Sequence, residues 1–239
     1  MRYTLSFGGG INSAALYFLI RDRGLPLDEV IFADTGSEMP YTYEVVEVFK
    51  KLAEKDGIKF TTVRSPLSSN LYDYLWSKKT IPSRQRRDCT AKFKVRPIRN
   101  YLRATYGKDA IFTTYIGIAA EEWHRMRTSD VSYVINSYPL VDKKIDRAGC
   151  VALLEQHGIT GIRKSGCYFC PFTKKAGWLD LMDNYPELYA KAEALEDNCP
   201  NPKLQLSYFR LSRIRKDRRA QKHLQDYEMT CDVAGSCFL

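Results

Sequence analysis

Short apolar runs alternate along the chain with longer segments whose apolar residues recur at helical spacing. The runs predict strands at residues 3–7, 28–36, 58–65 and 110–122, and the longer segments predict helices at 11–24, 41–57, 94–107, 147–159 and 173–197. The last helical pattern is interrupted near Pro186. Strands that alternate with helices favour a parallel sheet with helices on both faces. The pattern therefore predicts an α/β fold of the Rossmann-like class.

The alternation ends near residue 160, which divides the chain into two parts. We expect an α/β domain over residues 1–160 and a helical, cysteine-bearing C-terminal extension over 161–239. No apolar run approaches the roughly 20 residues needed to cross a bilayer. The apolar stretch at the N-terminus is too short for a secretory signal. These features favour a cytoplasmic protein with no membrane partner.

The charge and the cysteine count narrow the expected chemistry. The net charge is +9, and much of it lies in residues 83–103 and 209–223. A basic surface suits a nucleotide or nucleic acid, although 209–223 also fits a solvated basic helix face. The chain has seven cysteines. In a reducing compartment these are metal ligands, catalytic thiols or core residues rather than disulfides.

Three consecutive glycines, Gly8–Gly10, separate the first predicted strand from the first predicted helix. At that edge of an open α/β sheet, glycines let the backbone approach a ligand and the helix N-terminus attracts an anion. The alternative is a tight turn with no ligand. The phosphate-site interpretation assigns the loop glycines and their small polar neighbours to the site: Ser6, Gly8, Gly9, Gly10, Asn12 and Ser13.

Five segments resemble one known family. The stretch GGGINS (8–13) is similar to the SGGxDS signature of the PP-loop ATP pyrophosphatases, with Gly8 in place of the first serine and Asn12 in place of the aspartate. The segments IFADTGSEMPYTYEVV, CTAKFKVRP, IGIAAEEWHRMR and YPLVDKKIDRAGCVALLEQHGI resemble, in order, motifs of the phosphoadenosine-phosphosulfate (PAPS) reductases. The chain is identified as a member of this family, which implies the adenine nucleotide α-hydrolase-like fold. It departs from the family pattern at Thr90, Ala119 and Lys143.

The resemblance implies a nucleotide site with Mg²⁺. The glycine loop would hold the phosphates of ATP or a related adenylyl nucleotide. Asp34 and Thr35 would flank it, with Asp34 as a catalytic carboxylate on Mg²⁺, or else as a turn or cap residue. Glu121 and Glu122 would contact Mg²⁺ or ribose, or else form a solvated pair. Guanidinium and ammonium groups are suited to binding an anionic substrate. The candidate side chains are those of Arg84, Arg86, Arg87, Lys92, Arg125 and Arg127.

The cysteines suggest a metal centre. Cys167 and Cys170 form a CxxC turn, a spacing that lets two thiolates bind one metal. Cys89 precedes it as a cysteine does in related reductases and tRNA-thiolating enzymes, so the resemblance implies a [4Fe–4S] cluster on Cys89, Cys167 and Cys170, with zinc as the alternative. Cys150 lies in an apolar helical pattern and is expected in the core.

Two cysteines close the chain, Cys231 and Cys237. In PAPS reductases a cysteine near the C-terminus attacks the substrate sulfur, so the resemblance implies that one of them is a nucleophile or the missing cluster ligand. The alternative is a frayed tail with oxidisable thiols.

The resulting hypothesis is an enzyme that binds ATP and thiolates a nucleotide or nucleic acid, with a separate sulfur donor. The alternative reaction is reduction of an adenylyl sulfate to sulfite, with a thioredoxin-like reductant. A third class is a non-catalytic nucleic-acid-binding protein with a structural metal.

Overall fold

The structure is a computed structural model that describes residues 1–216. Within this range five strands form one sheet: β1 (Arg2–Phe7), β2 (Glu29–Asp34), β3 (Lys59–Arg64), β4 (Phe112–Ile116) and β5 (Val134–Ser137). Their order is β3-β2-β1-β4-β5, and every neighbouring pair is parallel. The predicted parallel α/β sheet is confirmed, and β5 is a strand that the pattern did not predict.

The described helices follow the strands in the predicted alternation. They are α1 (Ile11–Asp22), α2 (Pro40–Lys55), α3 (Leu71–Ser77), α4 (Asp88–Thr90), α5 (Arg96–Tyr106), α6 (Pro139–Asp142), α7 (Arg147–Gln156), α8 (Lys175–Asn184), α9 (Pro186–Asp197) and α10 (Leu211–Lys216). A π-helical turn covers Ala91–Val95, and a 3₁₀ helix covers Ala120–Arg125. The predicted break near Pro186 is confirmed, because α8 ends before it and α9 begins with it.

The interior strand β2 shows why the sheet is covered on both faces. All six of its residues are buried. Val30 and Phe32 pack in a core cluster that includes α1, α2 and α7 residues, whereas Ile31 and Ala33 pack in a second cluster with Leu102 of α5. Alternate residues of a strand point to opposite faces, so both faces of β2 are apolar.

The described chain separates into two compact units. The first contains Met1–Pro66 and Lys92–Gly166, and the second contains Leu67–Ala91 and the chain from Cys167 onward. The C-terminal part expected over residues 161–239 contains the segment from Cys167 onward, but it does not contain Leu67–Ala91. The first unit holds the whole sheet, and the second holds α3, α4, α8, α9 and α10.

The strand order places a topological switch point between β1 and β4. From β1 the chain proceeds to β2 and β3 on one side, and it then returns as β4 on the other side of β1. Ligands of open α/β sheets bind outside the carboxyl ends of the strands at such a point. A ligand site is therefore expected at the segments after β1 and after β4.

Candidate functional site

The glycine loop joins β1 to α1 at the switch point. Gly9 has a φ of +69°, a region that favours glycine, and a Cβ on it would lie 2.8 Å from Cγ2 of Thr42. A Cβ on Gly10 would lie 2.6 Å from Oγ of Ser165. A Cβ on Gly8, by contrast, would have its nearest neighbour at 3.8 Å. Packing against the protein itself therefore explains Gly9 and Gly10, and Gly8 is the loop glycine that such packing leaves unexplained.

The first turn of α1 carries the features of an anion site. Gly10 is its N-cap residue and has no side chain to accept from the first-turn N–H groups, and that turn has no acidic residue. Ser13 holds the loop shape, because its Oγ accepts from Gly8 N at 3.1 Å and donates to the Gly10 carbonyl at 3.0 Å. Ser6 lies one residue before the end of β1, opposite Ile116 of β4. The Ser13 hydroxyl is thus already engaged within the loop.

Gly117, directly after β4, lies against α1 and was missed by the sequence analysis. A Cβ on Gly117 would lie 2.8 Å from the backbone nitrogen of Ser13 and 2.9 Å from the carbonyl carbon of Asn12. Only glycine lets the chain leave β4 this close to the helix N-terminus. The sequence signal was a glycine at the end of a strand, which becomes informative only once β4 is known to neighbour β1.

Asn12 links the glycine loop to the 3₁₀ helix after β4. Its Nδ2 donates to Oε2 of Glu122 at 2.9 Å, and Glu122 also pairs with Arg125. An aspartate at position 12, as in the related signature, would bring two carboxylates together here. The asparagine is therefore matched to Glu122. The neighbouring Glu121 instead accepts from the backbone nitrogen of Arg147 at 3.2 Å, at the start of α7.

Asp34, at the end of β2, is buried and fully engaged by protein groups. Its Oδ1 accepts from Gly36 N at 2.8 Å and from the Tyr43 hydroxyl at 2.9 Å. Its Oδ2 accepts from Arg64 through Nε at 2.9 Å and Nη2 at 2.7 Å. Burial and then the Asp34 charge raise the pKa of Tyr43, which keeps it a donor at neutral pH. These contacts give Asp34 a role in shaping the turn after β2.

Thr35 is also buried beside this turn. Its hydroxyl donates to Oε1 of Glu38 at 3.2 Å, and the same carboxylate pairs with Nζ of Lys94 at 2.8 Å. The predicted cofactor-binding pair Asp34 and Thr35 thus anchors the connection from β2 to α2. Its direct contact with a nucleotide stays a prediction.

The basic residues predicted for an anionic substrate are dispersed. In the second unit, Nε of Arg84 donates to the Pro171 carbonyl at 2.6 Å, Arg86 is exposed, and the Arg87 guanidinium lies 5.4 Å from the Phe172 ring centre. In the first unit, the Lys92 carbonyl accepts from Ser65, Arg125 pairs with Glu122, and Arg127 donates to the carbonyls of His124 and Met126. Arg127 also lines an open cavity of about 510 Å³. A common anion contact for this set stays a prediction.

The three predicted metal ligands, Cys89, Cys167 and Cys170, all belong to the second unit and are partly exposed. The CxxC residues form a turn closed by a hydrogen bond from Cys170 N to the Cys167 carbonyl at 3.0 Å. Thiolates are the right donors for an iron–sulfur cluster or zinc. Within residues 1–216, however, no three His, Cys, Asp or Glu side chains are grouped as a metal site. The shared metal centre therefore stays a prediction.

The remaining cysteines divide between the core and the undescribed part of the chain. Cys150 is buried in the main core cluster, as predicted, and burial raises the pKa of its thiol to about 12. Cys231 and Cys237 lie outside the described residues. None of the helices described in residues 1–216 is both long and apolar enough to span a membrane.

The parallel sheet, the glycine loop at its switch point and the bond from Asn12 to Glu122 define an α/β domain of the doubly wound class. Residues 2–118 match the phosphoadenosine phosphosulfate reductase domain family. This match confirms the motif resemblance over residues 2–118.

Two curated relatives come from Methanocaldococcus jannaschii. The uncharacterized protein MJ0973 is 29% identical over 195 residues, covering 78% of this chain and 45% of the relative. The uncharacterized protein MJ0066 is 24% identical over 205 residues, covering 79% of this chain and 40% of the relative. The chain spans less than half the length of either relative.

Two solved structures are similar at 17% identity. A phosphoadenylyl-sulfate (PAPS) reductase from Candida auris, in a phosphate complex, has a TM-score of 0.46 and covers 69% of this chain and 81% of its own. The U34-tRNA thiolase NcsA from Methanococcus maripaludis, with its [4Fe–4S] cluster, has a TM-score of 0.48 and covers 86% of this chain and 74% of its own.

Proposed function

We propose that the chain binds ATP or a related adenylyl nucleotide at the Gly8–Gly10 loop and uses its α-phosphate chemistry to transfer sulfur to a nucleotide or nucleic acid. The hydrogen bond from Asn12 to Glu122 carries the proposal, because it joins the segments after β1 and β4 at the switch point. The family assignment of residues 2–118 supports an adenylyl nucleotide as the ligand.

The proposed reaction has two steps. An oxygen of the acceptor attacks the α-phosphorus of ATP and pyrophosphate leaves. A sulfur nucleophile then attacks the activated carbon of the acceptor, and AMP leaves. The first-turn N–H groups of α1 would bind the phosphates, since no side chain on Gly10 competes for them.

Mg²⁺ would neutralise the leaving pyrophosphate when it is bound. Of the predicted Mg²⁺ ligands, Glu122 is the carboxylate that contacts the loop, through Asn12. Asp34 is occupied by Arg64 and Tyr43, and it would hold the β2 edge of the site in place. Both oxygens of Glu122 are also engaged, by Asn12 and Arg125, so we assign Glu122 to the metal on its position beside the loop, where the Arg125 pair would have to open.

A nucleic-acid or nucleotide acceptor fits the surface beside Glu122. Trp123 follows it in the 3₁₀ helix and is 65% exposed. Exposed aromatic rings on a basic surface stack nucleobases in proteins that bind single strands, and Arg125 and Arg127 follow Trp123 closely in the chain. The acceptor is thus proposed as a nucleobase-containing molecule.

Glu122→Gln is expected to lower ATP-dependent pyrophosphate release by about 10–100-fold, the usual cost of altering a group around a catalytic metal. The assay supplies ATP, Mg²⁺, total tRNA and a sulfide source, and it measures pyrophosphate. Glu121→Gln is the matched control, because Glu121 bonds to the start of α7 and should change the rate little. Equal loss in both variants would remove Glu122 from its assigned role.

The same preparation tests the alternative reaction. The family name favours reduction of an adenylyl sulfate, which consumes a thiol reductant and releases sulfite. Sulfite formation that is lost in Cys237→Ser or Cys231→Ser would replace thiolation as the proposed function. Tight nucleic-acid binding with neither product would favour a non-catalytic binding protein.

We propose that Cys89, Cys167 and Cys170 bind one metal centre, a [4Fe–4S] cluster or zinc. Within residues 1–216 the three side chains are not grouped closely enough to form such a site. We therefore assign no reaction step to the metal centre. Cys89→Ala and Cys167→Ala are each expected to lower the iron or zinc content of anaerobically purified protein by more than half. Cys199→Ala, at a buried thiol outside the proposed set, is the control. Full metal content in Cys89→Ala would exclude Cys89 as a ligand.

A further inference from the structure

A short segment of the first unit, residues 163–166, is anchored at the start of α2. Met39 N donates to the Gly166 carbonyl at 3.0 Å, and the Tyr41 hydroxyl donates to the Lys164 carbonyl at 3.3 Å. The Arg163 guanidinium lies 4.5 Å from the centre of the Tyr41 ring. Two backbone carbonyls and one cation–π contact thus fix the position of the 163–166 segment.

Ser165 lies directly on the glycine loop. Its Oγ is 2.6 Å from the place that a Cβ on Gly10 would take and 3.9 Å from the corresponding place on Gly8. Gly8 is the loop glycine whose surroundings are otherwise open. The side chain of Ser165 is therefore next to the part of the loop where a phosphate group would approach.

The hydroxyl of Ser165 is available, whereas that of Ser13 is not. Ser13 Oγ donates its hydrogen to the Gly10 carbonyl. For Ser165, no hydrogen bond from Oγ is found among residues 1–216. A hydroxyl can donate only one hydrogen bond, so Ser13 would have to break the loop's own bond to serve a ligand.

We propose that Ser165 donates a hydrogen bond to a phosphate oxygen of the adenylyl nucleotide, the contact that the sequence pattern assigns to Ser13. This inference rests on the proposed nucleotide site, and it adds residues 163–166 to the segments that line that site. Arg163 and Lys164 put two positive charges into the same segment, which favours an anionic ligand. Ser165 is thus a proposed binding residue that is distant from the loop in sequence and lies beside it in the folded chain.

The test compares ATP with adenosine in wild type and Ser165→Ala by calorimetry, with Mg²⁺ present. A hydrogen bond to a charged group is lost with ATP, so the affinity for ATP should fall by about tenfold or more. Adenosine has no phosphate, and its affinity should be unchanged. Ser129→Ala removes a hydroxyl that bonds to the Val131 carbonyl in its own turn, and it should bind both ligands as wild type does.

Each outcome separates the inference from the proposed function. Absence of ATP binding in wild type would overturn the proposed nucleotide site itself. Wild-type ATP affinity in Ser165→Ala, at an unchanged melting temperature, would overturn the role of Ser165 and leave the nucleotide site standing. An equal loss for ATP and adenosine would assign Ser165 to loop packing, which also contradicts the proposed phosphate contact.

Discussion

Gly117→Ala is expected to weaken ATP binding on the order of 100-fold, because displaced first-turn N–H groups would lose hydrogen bonds to a charged phosphate, at about 1.5–3 kcal/mol each. The new methyl group would lie 2.8 Å from Ser13 N and 2.9 Å from Ser13 Cα. Both are backbone atoms of the first turn of α1, so the helix N-terminus itself must move. Such overpacking also costs about 1–3 kcal/mol of stability. Calorimetric titration with ATP and urea unfolding measure the two effects.

A second glycine separates lost stability from lost binding. Gly158 has a φ of +72° and no atom within 4 Å of its Cβ position, so Gly158→Ala strains the backbone without a clash. It should cost about 1–2 kcal/mol of stability, with unchanged ATP affinity. Wild-type ATP affinity in Gly117→Ala would contradict the placement of the nucleotide at the N-terminus of α1.

The sequence predicts those helices and strands in which apolar residues recur at a regular spacing along the chain. The four middle residues of β2, Val30–Ala33, are all apolar because helices cover both faces of the strand, and this makes β2 easy to recognise. β5 was missed because it has four residues at the edge of the sheet, and Ile135 within it is 47% exposed. The seven-residue helix α3 was missed as well, since so short a segment shows little helical periodicity.

Some features of the candidate site depend on residues adjacent in sequence, whereas others depend on contacts between residues that are distant in sequence. The glycine loop is local, and the sequence alone placed it correctly between β1 and α1. The pairing of Asp34 with Arg64 depends on the register of β2 with β3, which sets the two residues opposite each other. Ser165 reaches the loop only through the anchoring of residues 163–166, and no spacing in the sequence encodes that contact.

Glu29 provides a test at the other end of β2. Its side chain is 1% exposed, and it accepts hydrogen bonds from Thr61, from Tyr101 at 2.7 Å and from Tyr106 at 2.8 Å. Nζ of Lys59 lies 3.3 Å away. Burial acts to raise the pKa of Glu29, but the three hydrogen bonds and the Lys59 charge outweigh it, and the pKa is lowered. The folded state therefore favours the ionised carboxylate.

Glu29→Gln is expected to lower the free energy of unfolding at pH 7 by about 3 kcal/mol, since hydrogen bonds to a charged group are lost and a hydroxyl must reorient. A depressed folded-state pKa contributes stability above the unfolded value of about 4.3, and this contribution disappears as the pH falls through the folded-state pKa. The difference between wild type and variant should therefore be largest near pH 7 and shrink below about pH 4. Urea unfolding at both pH values measures it, with Glu47→Gln on the exposed side of α2 as the control. A difference that grows on acidification would contradict an ionised Glu29 in the folded protein.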